Sequence, residues 1–220
     1  MAHSNSFGAA VSDLASLVDV GFEASIGTGA ASMMQKIMQK RLAGARDILL
    51  EEIREGKVHI SEAVEGDEIV AVAYRFARSA MEGAARVNLR LMAKALKKQL
   101  QEPNLLASKF QHHAAIIASL RREEIILLCG LYEIEHTAEY SSKKDDQRPG
   151  WALGKLRDRF IPSLFANDKA LMATLIALTR TGFVIPETAW DTFVYSTSPN
   201  LSEVISLEEF EDALRGEADT

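Results

Sequence analysis

The chain has 220 residues, 47% of them hydrophobic and 25% charged, proportions that exclude wholesale disorder, a collagen-like repeat and a coiled-coil rod. That length holds one large or two small domains without disulfides or metal. The net charge of −6 arises from 25 basic and 31 acidic residues, and it is concentrated at the end, where Glu203, Glu208, Glu209, Glu211, Asp212, Glu217 and Asp219 face only Arg215. The rest of the chain balances, so it has no global field to hold a polyanion, and any nucleic-acid site must be a local patch. The single cysteine, Cys129, excludes an internal disulfide framework and, with no secretory signal at the N-terminus, predicts a cytoplasmic location.

The apolar stretch from Phe7 to Met34 is interrupted by Asp13, Asp19 and Glu23 and by Gly21, Gly27 and Gly29, so no integral membrane segment is expected. Lying on a membrane surface usually requires basic residues on the polar face, and residues 4–35 contain none. From Met33 to Ile53 the positions Met34, Ile37, Met38, Leu42, Ala45 and Leu49 keep helical spacing, and the only glycine is Gly44. Asp67 is a candidate N-cap for one long helix from Glu68 to about Gln101. Successive residues of a helix are about 100° apart, which separates two faces. Ala73, Ala77, Ala80, Ala84, Leu91 and Ala95 form a stripe of mostly small residues, suited to close helix approach. Arg75, Arg78, Arg86, Arg90, Lys94 and Lys97 lie around the other side, with Glu82 the only acid among them.

Gln101, Glu102, Pro103 and Asn104 break this pattern, giving a helical N-terminal region over 1–102 and a second region over 103–220. Leu105–Ser119 reads as a connecting helix and Arg121–Tyr140 as a central one, rich in Ile and Leu. Ser141–Gly150 reads as an exposed loop. Trp151–Ile161 is a short helix stopped by Pro162; Asn167 caps the next, which runs to Gly182. Phe183–Ile185 and Thr192–Ser196 read as strands joined by a turn over Pro186–Asp191. Ser198 with Pro199 starts a further helix, and Ser206 with Glu209 forms a capping box for the last. The fold class is therefore mainly α, with long helices first and one small β-hairpin near the end.

Helix, helix, helix, hairpin, helix is the element order of a winged-helix domain, and Leu120–Ile205 resembles one. The resemblance rests on REEIILLCGLYEI, on LMATLIALTRTGFVI and on FVYSTSP. The whole chain also resembles, more loosely, the Abi-alpha group of helical bacterial proteins associated with phage exclusion, through its helical first half, its Leu-Arg-Arg-Glu-Glu helix at Leu120 and its compact end. A winged helix implies DNA binding, with the third helix in the major groove and the hairpin against phosphates. This third helix offers only Lys169 and Arg180 as cations, and the hairpin turn carries Glu187 and Asp191 with no Lys or Arg. An acidic wing repels the backbone it should grip, so the module is expected to contact protein instead. Lys169, Arg180 and the turn aromatic Trp190 are its candidate contacts.

The sequence carries no catalytic motif that survives inspection. Gly27-Thr28-Gly29 lacks the third glycine of a dinucleotide loop, and Gly150 with Gly154-Lys155 has neither the spacing nor the Ser/Thr of a phosphate-binding loop. Glu133 and His136 share a helical face but lack the further ligands of a di-iron bundle. His112-His113 has no partner cysteines for zinc. Cys129, amid apolar residues, reads as core, and Trp151 as a cap over it. No enzyme activity, cofactor or metal is expected. The expected partner is protein, either another chain or a second copy in a homo-oligomer. The remaining alternatives are a DNA-binding regulator and a membrane-peripheral phage-exclusion factor. The basic helix face, if functional, suits nucleic acid or the chain's own acidic tail; deleting 207–220 is then expected to expose polyanion binding.

Overall fold

The structure, a computed structural model, describes residues 28–55, 66–100, 107–189 and 192–218. Within them lie ten helices and one two-stranded antiparallel sheet: the fold is mainly α with a small hairpin. The chain divides into two units at Ser119–Leu120, not at the proline break near residue 102, because the helix that follows the break packs back on those before it.

The first unit is built from α1 (Thr28–Glu55), α2 (Gly66–Glu82), α3 (Arg86–Leu100) and α4 (Ala107–Ser119). α1 lies on α2 and α3, and α4 closes the other side on the same two helices. The single helix expected from Glu68 to Gln101 is in fact α2 and α3. Gly83 has φ 96°, a left-handed conformation that glycine adopts without steric cost, and its N–H is bonded to the Ala80 carbonyl at 3.1 Å. The chain thereby turns a corner where periodicity alone runs straight on. Val72, Ala73, Phe76, Ala77 and Ala80 of α2 and Val87, Leu91 and Ala95 of α3 are buried, so the small-residue stripe is core except at Ala84, which is half-buried in the connection between the two helices. Two polar ties fix α4: the Glu68 carboxylate accepts from the Ala107 N–H at its start, and Asn88 Nδ2 donates to the Ile117 carbonyl at 2.6 Å near its end.

The second unit contains α5 (Arg122–Glu135), α6 (Ala138–Ser142), α7 (Arg148–Phe160), α8 (Asp168–Thr179), β1 (Val184–Ala189), β2 (Thr192–Thr197), α9 (Pro199–Val204) and α10 (Leu207–Ala218). The expected helix over Arg121–Tyr140 is α5 followed by α6. Thr137 is extended between them, and its hydroxyl accepts from the Tyr140 N–H at 3.1 Å, which starts a new helix. The exposed loop shrinks accordingly, since α6 runs to Ser142 and α7 opens at Arg148 with Pro149 in its first turn. The hairpin is longer than expected: Pro186 and Glu187 are inside β1, paired with Tyr195 and Val194. Asn167 caps α8 by accepting from the Ala170 N–H at 3.1 Å, and Gly182 stops the turn after it with φ 70°. Ser206 and Glu209 form the reciprocal box at α10, through bonds of 2.8 and 3.3 Å.

α5 is the spine of this unit. Its Ile125, Leu127, Leu128 and Leu131 are fully buried, and α7, α8, α10 and β2 all pack on it. At Gly130 the approach of α7 is so close that a Cβ would lie 2.6 Å from Phe160 Cζ. Gly130→Ala is expected to lose on the order of 1–2 kcal/mol in urea unfolding, the overpacking cost exceeding the better helix preference of alanine. Gly130→Ala combined with Phe160→Leu is expected to recover most of the loss.

Candidate functional site

In the first unit the expected basic face does not form one solvated surface. The corner at Gly83 separates Arg75 and Arg78 on α2 from Arg86, Arg90, Lys94 and Lys97 on α3. The α3 four recur every three to four residues, so they share one stripe, and that stripe runs into the side of α1. Arg86 is exposed and Arg90 half-buried. Lys94 is only 5% exposed; its Nζ lies 3.0 Å from Glu52 Oε1, and Lys97 Nζ lies 3.6 Å from Glu52 Oε2. Lys94 is thus an internal cation holding α3 to α1, not a surface contact. On α2, Arg78 Nε donates to Glu82 at 2.7 Å. This bond holds its guanidinium protonated even more firmly than usual, but both groups are half-exposed and such a pair contributes little. Arg75 Nε is buried without a hydrogen-bond partner among the described residues.

In the second unit the two described candidate contacts have different surroundings. Trp190 lies outside the described residues. Arg180, at the end of α8, donates from Nη1 to Glu124 Oε1 at 2.7 Å and from Nη2 to Glu124 Oε2 at 3.0 Å. Glu124 is buried and also accepts from the Arg121 N–H at 2.8 Å. Burial alone raises its pKa, but the Arg180 bonds, the Arg121 N–H and the two cationic charges together hold it below the ordinary glutamate range. Arg157, which reaches α8 from α7, is paired in the same way with Asp168, at 2.6 and 3.2 Å. Lys169 is exposed.

Between Lys169 and Arg180 the outward positions of α8 are Ala173 and Ile176, with Met172 and Ala177 half-exposed beside them. Ile176 is 58% exposed, and on the hairpin Ile185 and Phe193 are 43% and 61% exposed. The pairing of Ile185 with Ser196 and of Thr188 with Phe193 puts the two apolar side chains on opposite faces of the ribbon. Glu187 adds a negative charge to β1 and accepts from the Ser196 hydroxyl. At the base of the ribbon Glu135 of α5 accepts from the Thr197 N–H at 2.9 Å and from its hydroxyl. Burial lifts the Glu135 pKa in spite of those bonds.

The weaker motifs take structural places. Cys129 is buried, and burial beside Glu133 and Glu211 pushes its thiol up to about 11, away from thiolate chemistry. Glu133 accepts from Arg159 at 2.6 Å, while His136 Nδ1 meets the Tyr132 carbonyl at 2.8 Å, so the pair does not converge on a ligand. His113 meets Gln99 at 3.3 Å and His112 is exposed. Trp151 is half-buried, with Lys143 and Lys155 over its ring at 5.7 and 5.3 Å. Among the described residues there is no cluster suited to a metal ion and no helix long and apolar enough to cross a membrane. The acidic end is not a free tail as far as Gly216: Phe210 and Ala213 of α10 are buried in the unit. Deleting 207–220 therefore removes core and cannot serve as a clean test of competition. No family model, curated protein or solved structure matches the chain.

The residues that sequence reasoning passed over are the carboxylates Glu52 and Glu124, which neutralise cations far away in the chain. Glu52→Ala is expected to cost about 3–5 kcal/mol by stranding Lys94 in the interior. Glu52→Leu with Lys94→Met is expected to restore most of that stability in urea unfolding. Glu124, with its native pKa depressed, stabilises the fold fully above the unfolded glutamate pKa, and the contribution is lost as pH falls through the native value. Glu124→Gln is therefore expected to flatten the acid limb of the stability–pH curve. Glu135, with its pKa raised, acts oppositely: its contribution is lost as pH rises, so Glu135→Gln is expected to weaken the decline on that side.

Proposed function

We propose that this chain is a non-enzymatic contact protein that recognises polypeptide, in a partner or in a second copy, through the outer surface of α8 and the hairpin. The order α5, α6, α7, α8, β1, β2, α9 is, apart from the short α6, the element order of a winged helix, which supports that reading of Leu120–Ile205, and the reading makes α8 the surface on which recognition depends. The observation that carries the proposal is the composition of α8's outward stripe. A helix that reads a duplex offers Arg, Lys, Asn or Gln to base edges and is flanked by cations on phosphates. Here Ala173 and Ile176 occupy the middle of the stripe, Arg180 is committed to Glu124 and Arg157 to Asp168. That leaves Lys169 as the α8 cation without an ion pair among the described residues.

The physical balance follows from these assignments. Phosphate contacts supply most of the affinity for nucleic acid, and one lysine cannot replace a ring of cations. Exposed Ile and Phe side chains gain free energy by leaving water, at about 25 cal/mol per Å² of apolar surface covered, and a polypeptide surface covers them better than a phosphate backbone does. The expectation of a cytoplasmic regulator belongs to the same proposal.

Two measurements test it together. The full chain is expected to leave a labelled DNA duplex unshifted at low salt, and a photo-crosslinking residue in place of Ala173 is expected to capture polypeptide in living cells. A duplex shift abolished by Lys169→Glu, or nucleic acid captured at Ala173, overturns the proposal.

A further inference from the structure

The first unit holds a cleft of about 200 Å³ where α1 meets the corner between α2 and α3. Its floor is apolar and buried: Ala45 and Ile48 from α1, Ala80 from α2 and Leu89 from α3. Its rim carries Lys40, Arg41 and Arg86 and no acidic residue. Arg41 is held in place by donating from Nη1 to the Met81 carbonyl at 3.0 Å. Lys40 and Arg86 make no ion pair among the described residues, in contrast to Lys94 and Lys97 further along the same helix pair. Gly44 forms part of the wall, and a Cβ there would meet nothing within 4 Å.

The cleft does not end at Lys40. Met33, Ile37, Lys40, Gly44 and Ile48 recur at spacings of four, three, four and four along α1, so they lie on one stripe of the helix. Met33, Met34 and Ile37 are 68%, 48% and 40% exposed. Along α1 the surface therefore runs apolar and exposed, then cationic, then apolar and concave. At about 200 Å³ the concavity is below the roughly 300–1,000 Å³ of sites that enclose a whole small ligand, and it suits a single anchoring side chain of something larger.

We propose that this strip is a docking groove for an acidic amphipathic helix of a partner protein. One aliphatic side chain fills the cleft, carboxylates on the next turn pair with Lys40, Arg41 and Arg86, and a second apolar residue covers Met33 and Ile37. Charge complementarity selects an acidic partner. The alternation of apolar, cationic and apolar surface along one helix matches the anchor spacing of helix-in-groove recognition. The inference rests on the reading of the chain as a contact protein, but it concerns a surface separate from α8.

The test is fluorescence anisotropy on the full chain with a stapled helical peptide bearing leucines at i and i+7 and glutamates on the turn between them, beside a twin with lysines for glutamates. The acidic peptide is expected to bind and the basic twin not. Gly44→Leu, which fills open space and keeps the helix, and Arg86→Glu are each expected to weaken binding by roughly tenfold or more, the scale of losing one anchor, with thermal unfolding of Gly44→Leu no lower than wild type. Ile176→Glu is expected to leave peptide binding unchanged, which separates this groove from the α8 surface. Failure of the acidic peptide to bind, equal binding by Gly44→Leu, or binding of phosphatidylglycerol vesicles with the same dependence on Arg86 overturns the proposal.

Discussion

A carboxylate enclosed by the core must be answered by donors, and in the second unit that requirement organises the surface as well as the interior. Glu124 sits on the spine helix α5 with its side chain 1% exposed. Leaving such a charge unpaired costs several kcal/mol, so the end of α8 is drawn to it and Arg180 is fixed there by two bonds. The same carboxylate closes the start of α5 through the Arg121 N–H. One group thus sets the start of a helix, joins two elements and pairs the exposed cation at the end of α8. The outer stripe of α8 is apolar at Ala173 and Ile176, and the cations at its two ends, Arg157 and Arg180, are paired with Asp168 and Glu124.

The first unit treats its cations in two ways, and burial separates them. Lys94 and Lys97 surround Glu52 between α1 and α3, where the low dielectric makes partner and position matter. Lys40 and Arg86, at the other end of the same helix pair, rim an apolar concavity. Pairs such as Arg78–Glu82 or Arg215–Glu211, with both members well exposed, are screened by solvent and contribute little, so they decide neither architecture nor recognition.

Features governed by neighbours within a few residues were legible in the sequence. The Asn167 cap, the stop at Gly182 and the Ser206–Glu209 box all stand where local chemistry puts them. The hairpin was legible as well, though not its length, because Pro186 in β1 reads as a turn former while its pairing with Tyr195 is set by the partner strand. The straight helix through Gly83 failed for a related reason: one glycine in a helical pattern is compatible with either continuation or a corner, and the packing of α1 and α4 decides. The basic face was misread at Lys94 because its partner Glu52 is remote in sequence, and helical periodicity says which residues share a stripe without saying whether that stripe meets water. Gly44 was visible as the sole glycine of the first helical run; its open side became meaningful only once α2 and α3 were placed beside it.

The Glu52–Lys94–Lys97 cluster also restricts how the helices can slide. Alanine and leucine layers pack tolerably after a one-turn shift of about 5.4 Å, and such degenerate seams permit alternative alignments. A shift of that size between α1 and α3 would still bring Glu52 to a cation of the same stripe, Arg90 or Lys97, but it would disturb the placing of Lys94, the most deeply buried of them, against its counter-ion. The ionic knot therefore acts as an indexing pin, favouring the alignment in which the most deeply buried cation meets the carboxylate.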